Sequence, residues 1–222
     1  SDFERILAQA ADFSEAVLRK ACFKDADLRR SILLGAILEE TDLTQANLEK
    51  LLALGYQNVD GVRYALGQIA EEQKDWAQAI KWYEQIGPGP QFIASRTRVA
   101  QVLAREGKLE KAREYLHNVK TPDENARAQL VIAEAQLLRE ARRYQDAFDV
   151  LAKALAAQPD QPDLLYDYAL AADKIKRYDL VESSLRKLIK LKPDYAHAYN
   201  ALGYSLADRD KRLPEARKLI EK

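Results

Sequence analysis

Small, large and proline positions recur along residues 57–222 with one long period. Small residues stand at Gly67, Ala100, Ala135, Ala169 and Gly203, at spacings of 33, 35, 34 and 34. Twelve residues beyond them come Ala79, Ala112, Ala147 and Val181, with Ala216 one residue late. Four further on are large apolar residues, Tyr83, Leu116, Leu151 and Leu185, with Ile220 in the last copy. Pro90, Pro122, Pro159 and Pro193 stand near the ends of successive units. The pattern predicts units of two antiparallel helices. The small residue on the first helix lets the second approach closely, the large residue fills the space between units, and proline stops the second helix. One such unit cannot bury its apolar face alone, so neighbours must stack. Short turns are expected at residues 73–75, 106–108, 141–143 and 174–177. A longer one, from Asp208 to Arg212, accounts for the slip of Ala216.

Residues 1–50 obey a different rule. Cut into fives, the third residue of each block is Phe3, Ala8, Phe13, Leu18, Phe23, Leu28, Leu33, Leu38, Leu43 and Leu48, and the first is Ser, Ala or Thr everywhere except Ile6. Five residues turn a helix by about 140°, so these side chains would spiral around it rather than line one face. A strand, with its period of two, is not served either.

Residues 57–222, about three-quarters of the chain, resemble the tetratricopeptide-repeat (TPR) family. Leu66-Gly67 with Trp76-Ala77-Gln78-Ala79, Tyr144-Gln145-Asp146-Ala147-Phe148 ending at Gln158-Pro159-Asp160, and Asn200-Ala201-Leu202-Gly203-Tyr204 carry the likeness. The tract from Ala198 to Arg209 is similar to large proteobacterial TPR proteins. Some relatives of that kind are envelope lipoproteins acting as adaptors, including for a C-terminal processing protease. The fives resemble the pentapeptide-repeat family, with consensus A(D/N)LXX. That likeness implies a right-handed four-sided β-helix with four pentapeptides per coil and Leu or Phe pointing inward. Ten blocks make only two and a half coils, too small a core to stand without the helices beside it.

The expected fold is therefore mostly α: a short β-helix over residues 1–50, then a TPR α-solenoid over residues 51–222 with about four full repeats and a partial last one. The alternative is an all-α TPR solenoid throughout, with Leu28–Glu40 and Leu43–Tyr56 as a helix pair. Gly35 lies 32 residues before Gly67, and the stretch Ala46–Leu52 satisfies both patterns.

Composition narrows the function. Thirty-five basic residues balance thirty-five acidic ones, which argues against a general electrostatic grip on nucleic acid or an anionic membrane. Residues 1–50 carry ten acids and seven bases, so the DNA mimicry of some longer pentapeptide-repeat proteins is not implied. No apolar run approaches the roughly 20 residues of a membrane span, so direct membrane insertion is not expected. There is no methionine, and the chain stops within a predicted helix. These features suggest a fragment, a processed form or an engineered fusion of two solenoids with a purely structural role. The compartment stays open between bacterial cytoplasm and periplasm or envelope, the latter favoured only by the resemblance.

Candidate chemistry is sparse. His117, His197 and Cys22 lie far apart, without metal-ligand spacing. Gly87-Pro88-Gly89-Pro90 lacks the Lys-Ser/Thr of a phosphate loop. No catalytic group, metal site or cofactor is expected. The chain reads as a non-catalytic scaffold for a protein or peptide partner. The TPR resemblance implies that first helices line a concave face. By repeat phase that face carries Tyr64, Gln68 and Glu71, then Thr97 and Gln101, Gln136 and Arg139, Tyr166 and Asp173, and finally His197, Asn200 and Tyr204. The lysine–asparagine clamp of chaperone-binding relatives is missing. Its lysine position reads Tyr64, Thr97, Ile132, Tyr166 and Asn200, and its asparagine position reads Gln68, Gln101, Gln136, Leu170 and Tyr204.

Overall fold

Helix and tight turn alternate along the chain at the repeat spacing. The structure, a computed structural model, describes residues 59–209 and 212–221, together with 2–5, 8, 11–13, 16, 21 and 22. Among the described residues the helices are α1 (Val59–Glu72), α2 (Trp76–Glu84), α3 (Phe92–Arg105), α4 (Leu109–Asn118) and α5 (Glu124–Glu140). They continue as α6 (Tyr144–Ala157), α7 (Pro162–Lys174), α8 (Tyr178–Leu191), α9 (Ala196–Ala207) and α10 (Leu213–Ile220). The chain forms two compact units, Ser1–Tyr115 and Leu116–Lys222, dividing within α4.

In the first unit α2 packs against both α1 and α3. In the second, each helix from α5 to α10 packs on the next, and α5 also touches α7. The contact between α5 and α7 brings two first helices side by side.

The first four helix pairs, α1–α2 to α7–α8, are joined by the same turn. At the first, Lys74 N donates to Glu71 O (3.0 Å) and Asp75 N to Ala70 O (2.8 Å). Homologous bond pairs close the turns at Gly107 and Lys108, Arg142 and Arg143, and Lys176 and Arg177. This is a Schellman ending, in which one residue takes the left-handed conformation and the last carbonyls find donors. That residue is Lys74, Gly107, Arg142 or Lys176, with φ of 60°, 78°, 60° and 60°. Helix starts are fixed by side chains: Asp75 accepts from Gln78 N (3.0 Å), Asp123 from Asn125 N (3.0 Å), and Gln161 from Leu164 N (3.1 Å). Arg96 donates to the carbonyls of Tyr83 (2.8 Å) and Ile86 (2.7 Å), closing the end of α2.

The periodic small positions form the core. Ala79, Ala100, Ala112, Ala135, Ala147, Ala169, Val181 and Ala216 are all buried, as are Tyr83, Leu116, Leu151 and Leu185. Close approach is literal at both glycines. A Cβ on Gly67 would lie 2.4 Å from the Tyr83 ring, and one on Gly203 would lie 2.6 Å from Ile220 Cγ1. Ile220 differs from its counterparts in being 39% exposed, although it still covers Gly203.

In the N-terminal segment Asp2 and Cys22 form a parallel bridge, with Phe3 N donating to Cys22 O (2.6 Å). Ala11 N donates to Ala8 O (3.2 Å) and Ala16 N to Phe13 O (3.0 Å), while Ala8 and Ala21 are buried. These are isolated bridges and turns; no longer strand occurs among the described residues. Both the remaining pentapeptide blocks and the alternative helix pair Leu28–Glu40 and Leu43–Tyr56 lie outside the described residues.

Candidate partner-binding groove

In the first unit the ends of α1 and α3 converge on a buried carboxylate. Glu71 Oε1 accepts from the Tyr83 hydroxyl (2.7 Å) and lies 2.9 Å from Arg98 Nε, while Oε2 accepts from Arg105 (2.7 Å). Burial pushes the Tyr83 hydroxyl far above its ordinary pKa, and the Glu71 carboxylate adds to that rise. Tyr64 meets Tyr83 edge to face, with centroids 5.4 Å apart. Burial raises the Tyr64 pKa too, against the opposing pull of Arg98. Repeat phase puts Glu71 on the open concave face as a partner-binding residue, and the structure corrects this: the residue is only 6% exposed. A carboxylate this deep needs cations and a hydroxyl around it, and Arg98, Arg105 and Tyr83 supply them. Tyr64 is half-buried against the same core and contributes only part of its ring to the surface. Gln68, Thr97 and Gln101 are also half-buried, and Gln101 accepts from Arg98 (3.4 Å).

The second unit presents a more open face. Gln136 is exposed and bonded to Glu140 (3.1 Å). Arg139 reaches from α5 to Asp167 on α7 (3.0 Å). Burial raises the Asp167 pKa, and the Arg139 hydrogen bond opposes it. Tyr166, Tyr195 and His197 form an aromatic trio with centroids 5.6, 6.3 and 6.0 Å apart. Burial raises the Tyr195 hydroxyl, and the charge of Asp163 adds to it. Tyr195 was not picked out by repeat phase because it precedes α9, as its N-cap, rather than lying on a first helix.

One turn further along, α7, α8 and α9 enclose an open recess of about 300 Å³. Asp173 and Tyr204, both expected on this face, line it together with Leu170, Ser205 and Asp208. Tyr204 is 65% exposed. Asn200 is exposed on α9. The structure thus brings Tyr166 to His197 and Asp173 to Tyr204, and it takes Glu71 out of solvent. No group of three or more His, Cys, Asp or Glu able to hold a metal occurs among the described residues. No helix there is long and apolar enough to cross a membrane. His117 Nε2 lies 2.6 Å from Glu134 Oε2, on a buried carboxylate of α5.

Residues 2–50 match the family described as pentapeptide repeats, in eight copies. Residues 39–91 and 138–203 match two models described as tetratricopeptide repeat. The two kinds of match overlap at residues 39–50, where the sequence fits both patterns. The "TPR repeat-containing protein PA4667" of Pseudomonas aeruginosa is 37% identical over 164 residues, 74% of this chain but 28% of that protein. The chain therefore spans little more than a quarter of that relative's length. Among solved structures, "Crystal structure of MamA" aligns with a TM-score of 0.49 at 21% identity, covering 70% of this chain and 91% of that one. "MamA 41-end from Desulfovibrio magneticus RS-1" aligns with 0.49 at 17% identity, covering 74% and 94%.

Proposed function

This chain belongs to the tetratricopeptide-repeat proteins and carries pentapeptide repeats over residues 2–50, and from that premise we propose that it is a non-catalytic scaffold that holds a segment of another protein along its first helices. The observation that carries the reading is the second unit's face. There a large, mostly exposed Tyr204 stands at an open recess beside Asp173, and the Tyr166 and His197 rings lie on the same first helices. Exposed aromatic rings beside polar groups are the usual anchors of protein interfaces, because a ring buries much area at little entropic cost.

A photo-crosslinking residue at Tyr204 tests this in living bacterial cells. Position 204 is expected to capture a polypeptide, whereas an exposed site on a second helix, Lys190, captures none. Equal yields from both positions would sink the proposed face.

The N-terminal segment is proposed to be the short right-handed four-sided β-helix. Asp2 and Cys22, which bridge in parallel, are 20 residues apart, or four pentapeptides. The Ala8–Ala11 and Phe13–Ala16 turns repeat after five residues. Deleting residues 1–50 is expected to leave the helical circular-dichroism signal per chain unchanged. A loss in proportion to length would replace the β-helix with further helices.

A further inference from the structure

We propose that the recess between α7 and α9 is a receptor for one arginine side chain of the bound protein, whose guanidinium is held by Asp173 and Asp208. The inference rests on the scaffold reading and names what one part of that face selects.

One charge at the ends of the first helices is left unmatched. The ends of the first helices carry Glu71, Arg105, Arg139 and Asp173, each 34 residues after the last. Three of the four are neutralised within the fold: Arg105 binds Glu71 at 2.7 Å, and Arg139 binds Asp167 at 3.0 Å. The next position in the series is Ala207, followed by Asp208. Asp173 thus shares its recess with a second acid, Asp208, where Glu71 meets a base. Neither Asp173 nor Asp208 has a side-chain partner among the described residues, and both line the recess. Arg209, which follows Asp208 directly, is turned elsewhere, and Lys174, which follows Asp173, is not part of the recess lining. Its Nε donates to Ser205 O (2.7 Å), and its guanidinium lies over the Tyr178 ring at 4.8 Å.

Ser205 is 9% exposed, its Oγ has no hydrogen-bond partner among the described residues, and the residue lines the same recess. A buried hydroxyl left unpaired is costly, and a ligand N–H reaching it removes that cost.

A recess of about 300 Å³ lies at the lower end of ligand pockets, suited to one long side chain rather than a cofactor. Leu170, Val181 and Leu185 give the methylene stem an apolar wall. Tyr204 offers a ring face on which a guanidinium stacks. Arginine fits better than lysine because its planar fork carries five donors, enough for two carboxylates and a hydroxyl at once. An acidic ligand would be repelled by both carboxylates.

The test uses the isotope-labelled full chain and two glycine–serine peptides, one with a single central arginine and one with citrulline, which keeps the shape and loses the charge. Nuclear magnetic resonance shifts are expected to cluster at residues 169–173, 181–185 and 201–208. Affinity should fall roughly ten-fold or more with citrulline, and equally in the Asp173→Asn/Asp208→Asn variant, a loss equivalent to one desolvated ion-pair contact. Equal binding of the two peptides, undiminished binding by the variant, or shifts absent or elsewhere would each overturn the proposal. A random-peptide selection on the same chain separates the two levels. Binders lost on Tyr166→Ala/His197→Ala substitution but indifferent to the Asp variant overturn the arginine receptor and leave the scaffold standing. A selection without binders, together with no arginine-peptide shifts, overturns both.

Discussion

Tyr83 fills the space that a side chain on Gly67 would occupy: its Cε1 lies 2.4 Å from the Cβ position of an alanine there. Both residues are buried, and Tyr83 is anchored by its hydroxyl on Glu71, so the ring cannot swing aside. Gly67→Ala gains about 1 kcal/mol of helix propensity but overpacks the core by about 1–3 kcal/mol. A net loss is expected in urea unfolding. The loss should shrink in a Tyr83→Leu background, because the two sites are in direct contact and their effects are coupled. Gly203→Ala should cost less. Its nearest neighbour is Cγ1 of a partly exposed isoleucine, which can shift toward solvent, although the Ala216 carbonyl at 3.0 Å limits the relief.

The buried Glu71 predicts a graded series. Removing the carboxylate by Glu71→Ala strands the half-buried Arg98 and the Tyr83 hydroxyl. Breaking a buried pair in this way costs about 3–5 kcal/mol. Arg105 is half-exposed, and Arg98 still faces Glu71 when Arg105 is gone. Arg105→Ala should therefore cost about 1 kcal/mol or less. Thermal unfolding of the two variants side by side reads the ratio. Equal losses would mean that Arg105, not Arg98, carries the charge balance.

The repeat was legible in the sequence because its rules are steric and identical in each copy. Gly67, Ala100, Ala135 and Ala169 answer one requirement, closeness of two helices, and each copy states it again. The site was legible only in part because its rules differ between copies. Glu71 occupies the same phase as Arg105, Arg139 and Asp173, yet one is buried, two are paired within the fold and one lines a recess. Phase predicts where a side chain points, and what the neighbouring first helix offers, Arg105 to Glu71 or Asp167 to Arg139, decides whether it is free. The alternation of Glu71 and Arg105 was the available signal for the pair. Tyr195 and Ser205 carried none, one lying outside the helix and the other among core positions.

Three of the four Schellman turns place a side chain where glycine is the unstrained choice. Lys74, Arg142 and Lys176 adopt φ of 60°, the conformation Gly107 adopts at 78°. A left-handed residue with a Cβ costs roughly 1–2 kcal/mol, of which glycine returns part to the entropy of the unfolded chain. Arg142→Gly is therefore expected to stabilise by about 0.5–1 kcal/mol, raising the melting temperature. Gly107→Ala should lower it, although nothing crowds that site, because strain alone opposes the substitution.

The ion network on α8 and α10 predicts an acid-sensitive attachment of the last helix. Glu182 receives hydrogen bonds from Arg212 and from Arg186 (2.9 Å), and Arg186 also binds Glu215 (2.6 Å). The Arg212 hydrogen bond, opposed by some desolvation and reinforced by Arg186, lowers the Glu182 pKa from 4.5 to about 2. A carboxylate whose pKa is depressed by folding stabilises the fold above its unfolded value, so the contribution is full above pH 4.5 and fades as pH falls toward 2. The groups are partly exposed, so the gain is about 1 kcal/mol or less. Glu182→Gln should lower the melting temperature at pH 7, and the gap should close as pH falls through about 2, where the native residue takes up its proton. Salt should narrow the gap at pH 7. A difference that persists undiminished into acid would assign the effect to packing of the side chain rather than to its charge.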